Sequence, residues 1–130
     1  MCVDLKDGVQ ANGTPLQIWD CDRKNPNQLW RKDANQMRLF ANPNLCIDAG
    51  VNPTDGSRVK VWQCYPGLPQ QTWVTSGPKK QLKGTNLCLD VTNGNWVNGQ
   101  QLQVWTCNFG NVNQVFFEAP AAEYIRTNQS

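Results

Sequence analysis

The sequence predicts a closed, all-β architecture with pseudo-threefold symmetry, and three observations carry that reading. The stretch Cys2 to Trp30 occurs three times: Cys46 to Trp73 opens CIDA, closes on VWQC and ends PQQTW, and Cys88 to Phe116 opens CLDV, closes on VWTC and ends VNQVF. The Trp before each second cysteine falls at 19, 62 and 105, and the Gln of the closing motif at 28, 71 and 114, both series 43 apart. A fixed period of this length marks stacked copies of one supersecondary unit, none of which buries its apolar face alone. Helical periodicity is missing: no window carries apolar residues at i, i+3, i+4 and i+7 for three turns. In its place stand 15 Asn, 13 Gln, 10 Gly and 8 Pro among 130 residues, the make-up of short strands and turns. The Trp, Leu and Val content sets the chain apart from the disordered class.

Each copy reads as strand, turn-rich loop, strand, turn, strand. In the first, Val3–Leu5 is a strand, Asp7-Gly8 and Asn12-Gly13 are turn dipeptides, Leu16–Trp19 is a strand, Pro26 marks a turn and Leu29–Lys32 is a strand. Asn, Asp and Gly suit those turns because they tolerate positive φ. The second copy repeats the order with Cys46–Asp48, Asn52-Pro53 and Asp55-Gly56, Val59–Trp62, Pro66-Gly67 and Thr72–Val74. The third uses Leu87–Val91, Asn93-Gly94 and Asn98-Gly99, Leu102–Trp105, Gly110 and Val115–Glu118.

A fourth strand, alternating apolar and basic residues, precedes the first cysteine of the later copies: Met37-Arg38-Leu39, and Leu82-Lys83. Only Met1 precedes Cys2. The matching pattern is Tyr124-Ile125-Arg126, twelve residues after Gln114 just as Lys83 lies twelve after Gln71. The C-terminal segment is therefore expected to supply the opening strand of the first copy, as in a circularly permuted order. The alternative is a loose tail, since Ala119-Pro120-Ala121-Ala122 reads as a linker. One domain over 1–130 is expected, with repeats of 2–35 plus 123–130, 36–78 and 79–118. Twelve strands in three four-stranded units close the structure and remove exposed sheet edges.

Composition excludes several function classes. Twelve basic and ten acidic residues give a net charge of +2 without any run of like charge, so neither a nucleic-acid surface nor a polybasic membrane surface is indicated. No apolar stretch approaches the ~18 residues of a membrane span. The chain carries no histidine, which removes His-based general bases, Ser-His-Asp triads and His metal sites together. No secretory signal peptide opens it, and Met1 set directly against a motif cysteine reads as an introduced start.

Six cysteines allow 15 pairings. The repeat selects one, because only bridges internal to each copy keep the copies equivalent: Cys2 with Cys21, Cys46 with Cys64, Cys88 with Cys107. Each closes a loop worth about 3 kcal/mol in the chain-entropy model. Short C-x-x-C spacing, which zinc prefers, is absent. Bridges imply an oxidising compartment, hence a secreted or cell-surface setting.

The combination of C-[VIL]-D, aromatic-x-C and Q-x-W, in register three times over the whole chain, resembles the ricin-B (R-type) lectin domain. That resemblance implies a β-trefoil and a carbohydrate-binding role, as in free lectins and in modules attached to microbial glycosidases. In the first copy it implies that Asp4 accepts two sugar hydroxyls, Trp19 forms the aromatic platform, Gln17 lies beside it, Asn27 binds a hydroxyl and Gln28 orients the Asp. In the third the set is Asp90, Gln103, Trp105, Asn113 and Gln114. The second keeps Asp48, Trp62 and Gln71, but Lys60 replaces the Gln and Gln70 replaces the Asn, so pairing of Lys60 with Asp48 is expected to compete with ligand there. The chemistry stands apart from the family. A flat aromatic covers the apolar C–H face of a pyranose, an ionised Asp takes charge-assisted bonds from hydroxyls, and Asn and Gln both donate and accept.

Other residues read differently. Trp30, Trp73 and Phe116 are expected in the core, and Leu29, Leu45, Leu87 and Val115 as structural. Trp96 is either an extra glycan contact or a cap on the barrel end. The three Asp residues could instead cap turns through side-chain to backbone bonds. Asn12-Gly13-Thr14 and Asn128-Gln129-Ser130 fit the N-glycosylation sequon.

The expectation is a non-catalytic binder of galactose, N-acetylgalactosamine or xylan-type glycans, needing no cofactor. One carboxylate per pocket is too few for a dedicated calcium site and lacks the acid pair of a glycosidase. The alternative is a trefoil protein-interaction module or protease inhibitor acting through its loops. Oligomeric state and attachment to a larger enzyme stay open.

Overall fold

A computed structural model of the protein describes residues 1–118 and 125–127. The strands are β1 Cys2–Leu5, β2 Leu16–Trp19, β3 Trp30–Asp33, β4 Gln36–Leu39, β5 Asn42–Asp48, β6 Lys60–Gln63, β7 Trp73–Ser76, β8 Lys79–Leu82, β9 Leu87–Val91, β10 Leu102–Thr106, β11 Phe116–Glu118 and β12 Ile125–Thr127. Among the described residues the helical segments are single 3-10 turns only.

Side-chain alternation along the first hairpin decides which residues join the apolar core and which turn to its opposite face. Val3 stands opposite Ile18 and Leu5 opposite Leu16, so one face carries four fully buried aliphatics. Cys2 and Asp4, opposite Trp19 and Gln17, take the other face. Hairpins β5–β6 and β9–β10 repeat this register, pairing Asp48 with Lys60 and Asp90 with Gln103.

Three antiparallel four-stranded sheets form, in the orders β11-β12-β1-β2, β3-β4-β5-β6 and β7-β8-β9-β10. Each sheet joins the Q-x-W strand of one copy to the opening strands of the next, through a tight turn at β3–β4 and at β7–β8. Between β3 and β4 only Ala34 and Asn35 intervene, both at positive φ (50° and 67°), which is the backbone signature of a two-residue hairpin turn. The strand before the second cysteine-rich hairpin is thus bonded backwards to the preceding closing strand. β8 also ends at Leu82, leaving Lys83 just beyond it.

The C-terminal strand β12 lies between β11 and β1, with Cys2 opposite Arg126, Phe116 opposite Thr127 and Glu118 opposite Ile125. Tyr124, expected to begin this strand, and the Ala119–Ala122 segment fall outside the described residues, as does the sequon at Asn128. The strands before the motif cysteines are stitched into a ring: Leu16 N–H donates to Val59 O (3.0 Å), Val59 N–H to Leu102 O (3.0 Å), and Ile18 N–H to Gln100 O (2.9 Å).

Trp30, Trp73 and Phe116 are buried at the centre, as expected of the Q-x-W positions. The indole N–H of Trp30 donates to Val3 O (3.1 Å) and that of Trp73 to Ile47 O (3.0 Å), so the closing strands of the first two copies are pinned to the cysteine strands of their own copies. Trp96 is partly buried and packs against this core. Disulfides Cys2–Cys21, Cys46–Cys64 and Cys88–Cys107 are all formed within copies.

Candidate functional site

The outward face of hairpin β1–β2 presents Asp4, Gln17 and Trp19 together because they occupy paired or alternate positions of one ladder. Gln17 Nε2 donates to Asp4 Oδ1 at 2.9 Å. The second oxygen is held from below by Gln28, whose Nε2 donates to Asp4 Oδ2 (3.0 Å) and to Asp20 O (2.9 Å) while its Oε1 accepts from Asp22 N–H (2.8 Å). Gln28 reaches this place from the 3-10 turn Pro26–Gln28, which Asn25 caps by accepting from Asn27 N–H (2.9 Å). Asn27 packs over Gly8, so close that a Cβ there would stand 2.9 Å from its amide oxygen. An ionised carboxylate offers about four acceptor positions, and these two amides use two. Burial raises the pKa of Asp4 against the pull of both Gln amides, with Asp7 adding to the rise.

The third copy reproduces the arrangement. Gln103 Nε2 donates to Asp90 Oδ1 (2.9 Å), and Gln114 Nε2 donates to Asp90 Oδ2 (3.2 Å) and Thr106 O (3.0 Å). Gln114 Oε1 accepts from Asn108 N–H (3.0 Å) and also from Lys79 Nζ (3.2 Å). Burial again raises the Asp90 pKa, opposed by Gln103, Gln114 and the charge of Lys79, with Asp55 pushing upward. A cavity of about 190 Å³ is lined by Asp90, Asn93, Gln103, Trp105, Asn111 and Asn113.

The second copy departs from the plan. Gln71 Nε2 donates to Asp48 Oδ2 (3.0 Å) as its counterparts do and to Gln63 O (2.8 Å), while Gln71 Oε1 accepts from Tyr65 N–H (3.0 Å). Asp48 Oδ1, however, accepts from the backbone N–H of Gly50 (2.6 Å) and distantly from Gln70 Nε2 (3.4 Å). This is the turn-capping role weighed for all three acids, and here Asp48 adopts it. The expected pairing of Lys60 with Asp48 does not form: the ammonium lies over Gly50 instead, because its long stem carries it past the carboxylate opposite. The cavity here is about 440 Å³ and is lined by Asp48, Gly50, Val51, Lys60, Trp62, Tyr65, Leu68 and Gln70.

All three motif indoles are half-exposed, Trp19 at 43 %, Trp62 at 39 % and Trp105 at 43 %, in contrast to the fully covered Trp30 and Trp73. The arrangement therefore offers a flat apolar plate beside a fixed carboxylate, with amides on the rim. Chemically it can bind a ring that has one apolar face and one hydroxylated edge. Paired catalytic carboxyls are not brought together among the residues lining these cavities.

Sequence reasoning missed several contributors. Gly8 and Gly94 leave the space that Asn27 and Asn113 fill, and each follows its Asp by four residues, a signal that the Asp-Gly and Asn-Gly dipeptides held unread. Asn93 and Asn111 line the third cavity, and Val51, Tyr65 and Leu68 enlarge the second. Asn12, in the first sequon, is exposed and accepts from Gln63 N–H at 2.8 Å.

The model of the ricin-type beta-trefoil lectin domain family matches residues 1–116. The chain belongs to this lectin family. Solved structures agree on the trefoil. The C-half of the earthworm R-type lectin, crystallised in complex with GalNAc, is 22% identical with a TM-score of 0.75, over 97% of this chain and 89% of that one. The earthworm lectin C-terminal domain mutant in complex with 6'-sialyllactose gives 22% identity and a TM-score of 0.71 over the same shares, 97% and 89%. A designed 3-fold symmetric protein, ThreeFoil, gives 20% identity and a TM-score of 0.74 over 94% of this chain and 86% of that one. In this ricin-type lectin domain the copies are alike enough to compare pocket by pocket. The first and third share their amide pair around the acid, while the second keeps the Gln71 amide but carries Lys60 where they carry Gln17 and Gln103.

Proposed function

We propose that this lectin domain is a non-catalytic carbohydrate binder whose first and third pockets take galactose or N-acetylgalactosamine, with xylan-type glycans next. The observation that carries the reading is the buried carboxylate of Asp4, and likewise Asp90, tethered by two Gln amides beside a half-exposed indole. Trp19 or Trp105 would lie under the C–H face of the pyranose. The free acceptor positions of Asp4 or Asp90 would take two adjacent hydroxyls, and Asn27 or Asn113 a third. Hydrogen bonds to a charged partner contribute about 1.5–3 kcal/mol each, which suits a weak single site. Strength would come from several pockets engaging one glycan or surface. The GalNAc complex of the earthworm relative supports a galacto-configured ligand. Three disulfides are consistent with an oxidising, extracellular setting.

A glycan array on the folded protein, repeated with Asp4→Ala and Asp90→Ala, tests this. Galactoside binding that falls with either substitution and, with both, drops to the weak remainder of the second pocket is the expected result. Binding untouched by both would hand the function to the loops, as in a protein-interaction module or protease inhibitor.

A further inference from the structure

The three pockets follow one plan, and the second breaks it at two positions, Gln70 for the Asn and Lys60 for the Gln, of which only Lys60 brings a charge. Lys60 stands opposite Asp48 where Gln17 and Gln103 stand opposite Asp4 and Asp90. Each Gln donates to its carboxylate. Lys60 forms no ion pair among the described residues, and its Nζ is held over the α-carbon of Gly50, where an added Cβ would come within 2.7 Å. Asp48 has turned to other donors, the N–H of Gly50 and the amides of Gln70 and Gln71.

Two consequences follow. With three N–H groups already on it, Asp48 has less capacity left for sugar hydroxyls than Asp4 or Asp90. Meanwhile Lys60, a half-buried residue whose ammonium donates three bonds and accepts none, lines with Trp62 a cavity of about 440 Å³ against about 190 Å³ in the third copy. An ammonium with no carboxylate partner keeps its donors for an incoming anion, a charge-assisted bond stronger than one to a neutral hydroxyl. The N–H groups aimed at Asp48 offset its repulsion of such an anion.

We infer that the second pocket selects a pyranose bearing an anionic substituent, a uronate carboxylate or a sulfate ester, with Lys60 as its anchor. This rests on the reading of the pockets as sugar sites and adds that the copies differ in ligand class. The domain then recognises glycans that carry neutral and acidic residues together.

The test follows the indole N–H resonances of Trp19, Trp62 and Trp105 by NMR during titration with galactose, galacturonic acid and galactose 6-sulfate. The Trp62 resonance should respond to an acidic sugar with a Kd roughly tenfold below that for galactose, the scale of one charged hydrogen bond, and the preference should weaken with salt. Whichever acid binds more tightly identifies carboxylate or sulfate as the group recognised. Lys60→Gln installs the residue of the other copies and should abolish the preference, while Lys60→Arg keeps it. Galactose equal to both acids at Trp62, an acid preference that survives Lys60→Gln, or a Trp62 silent to every sugar would each overturn the inference. In the last case, responses of Trp19 and Trp105 to galactose leave the general lectin reading standing. Three silent indoles remove both.

Discussion

Gly99 of the third copy backs the indole of Trp19 in the first: a Cβ built at position 99 would stand 3.8 Å from Cζ3 of the ring. Gly13 lies in the same way against Trp62 (3.7 Å) and Gly56 against Trp105 (3.8 Å). The loops are pinned where they touch, since Asn98 Oδ1 accepts from Asp20 N–H (2.8 Å), Asn12 Oδ1 from Gln63 N–H (2.8 Å) and Asp55 Oδ1 from Thr106 N–H (2.6 Å). Each platform thus belongs to one copy and is braced by another. Pocket geometry is a property of the closed ring.

Gly99→Ala isolates that coupling. At φ +93° an L side chain is strained, although 3.8 Å to the ring is an ordinary contact. We expect a stability loss of about 1–2 kcal/mol in chemical denaturation. The Trp19 resonance should shift and the first pocket should weaken, while the third pocket, in the copy that carries the substitution, keeps its affinity. A defect confined to the third pocket would show that the brace is not what matters.

The two amides on Asp4 should separate stability from binding. Gln28 is buried and joins Asp4, Asp20 O and Asp22 N–H, so Gln28→Ala strands three groups and should cost about 2–4 kcal/mol. Gln17 is joined to Asp4 alone among the side-chain bonds it makes, and Gln17→Ala should cost about 1 kcal/mol. Both should weaken sugar binding at the first pocket. Equal losses of stability in urea titrations would contradict the buttress role of Gln28.

Binding should fail on acidification earlier than an ordinary aspartate would require. Burial raises the pKa of Asp4 and Asp90 above their usual values, the Gln amides opposing the shift. Hydroxyls need the ionised form as acceptor, so affinity declines as pH falls through those raised values, above the usual ~3.9. The stability term has the opposite sense. A carboxyl with a raised native pKa holds its proton better in the folded state, so its stabilising contribution is full below the unfolded pKa and is lost as pH rises through the folded one. Carboxyl carbon shifts followed by NMR, beside affinities measured from pH 7 to 4, check both. A binding midpoint at or below the ordinary value would refute the assignment of these acids.

Much of this was legible because the period is rigid. The 43-residue spacing of Trp19, Trp62 and Trp105 fixed which cysteines bridge and which indoles stay exposed, and the twelve-residue offset from Gln114 located β12. Strand partnership was less legible. The turn between β3 and β4 uses Ala34 at φ 50°, a residue that announces no positive-φ position, so at this junction the bond from the first copy's closing strand to the second copy's opening strand left no mark in composition. The placement of Lys60 escaped for a different reason. Opposite charges facing each other across a ladder suggest a pair, yet the N–H of Gly50 reaches Asp48 within its own turn and the lysine stem overshoots.

Truncation after Glu118 asks how far the first copy depends on the C-terminal strand. β12 contributes the buried Ile125, the ladder to β1 and β11, the Thr127 N–H bond to Met1 O (2.7 Å) and the Arg126 guanidinium 5.6 Å from the Phe117 ring centre. Burial of one Ile is worth about 1.5–3 kcal/mol, and each backbone bond adds about 1 kcal/mol net. The truncated chain should therefore lose about 3–5 kcal/mol, a large share of the ~5–15 kcal/mol typical of a domain. β1 carries Asp4 and would become a sheet edge, so the first pocket should lose affinity before the third does. Denaturation curves and the Trp19 and Trp105 titrations on the same truncated protein decide it: parallel loss at both pockets would mean that β12 stabilises the ring as a whole and not the first site in particular.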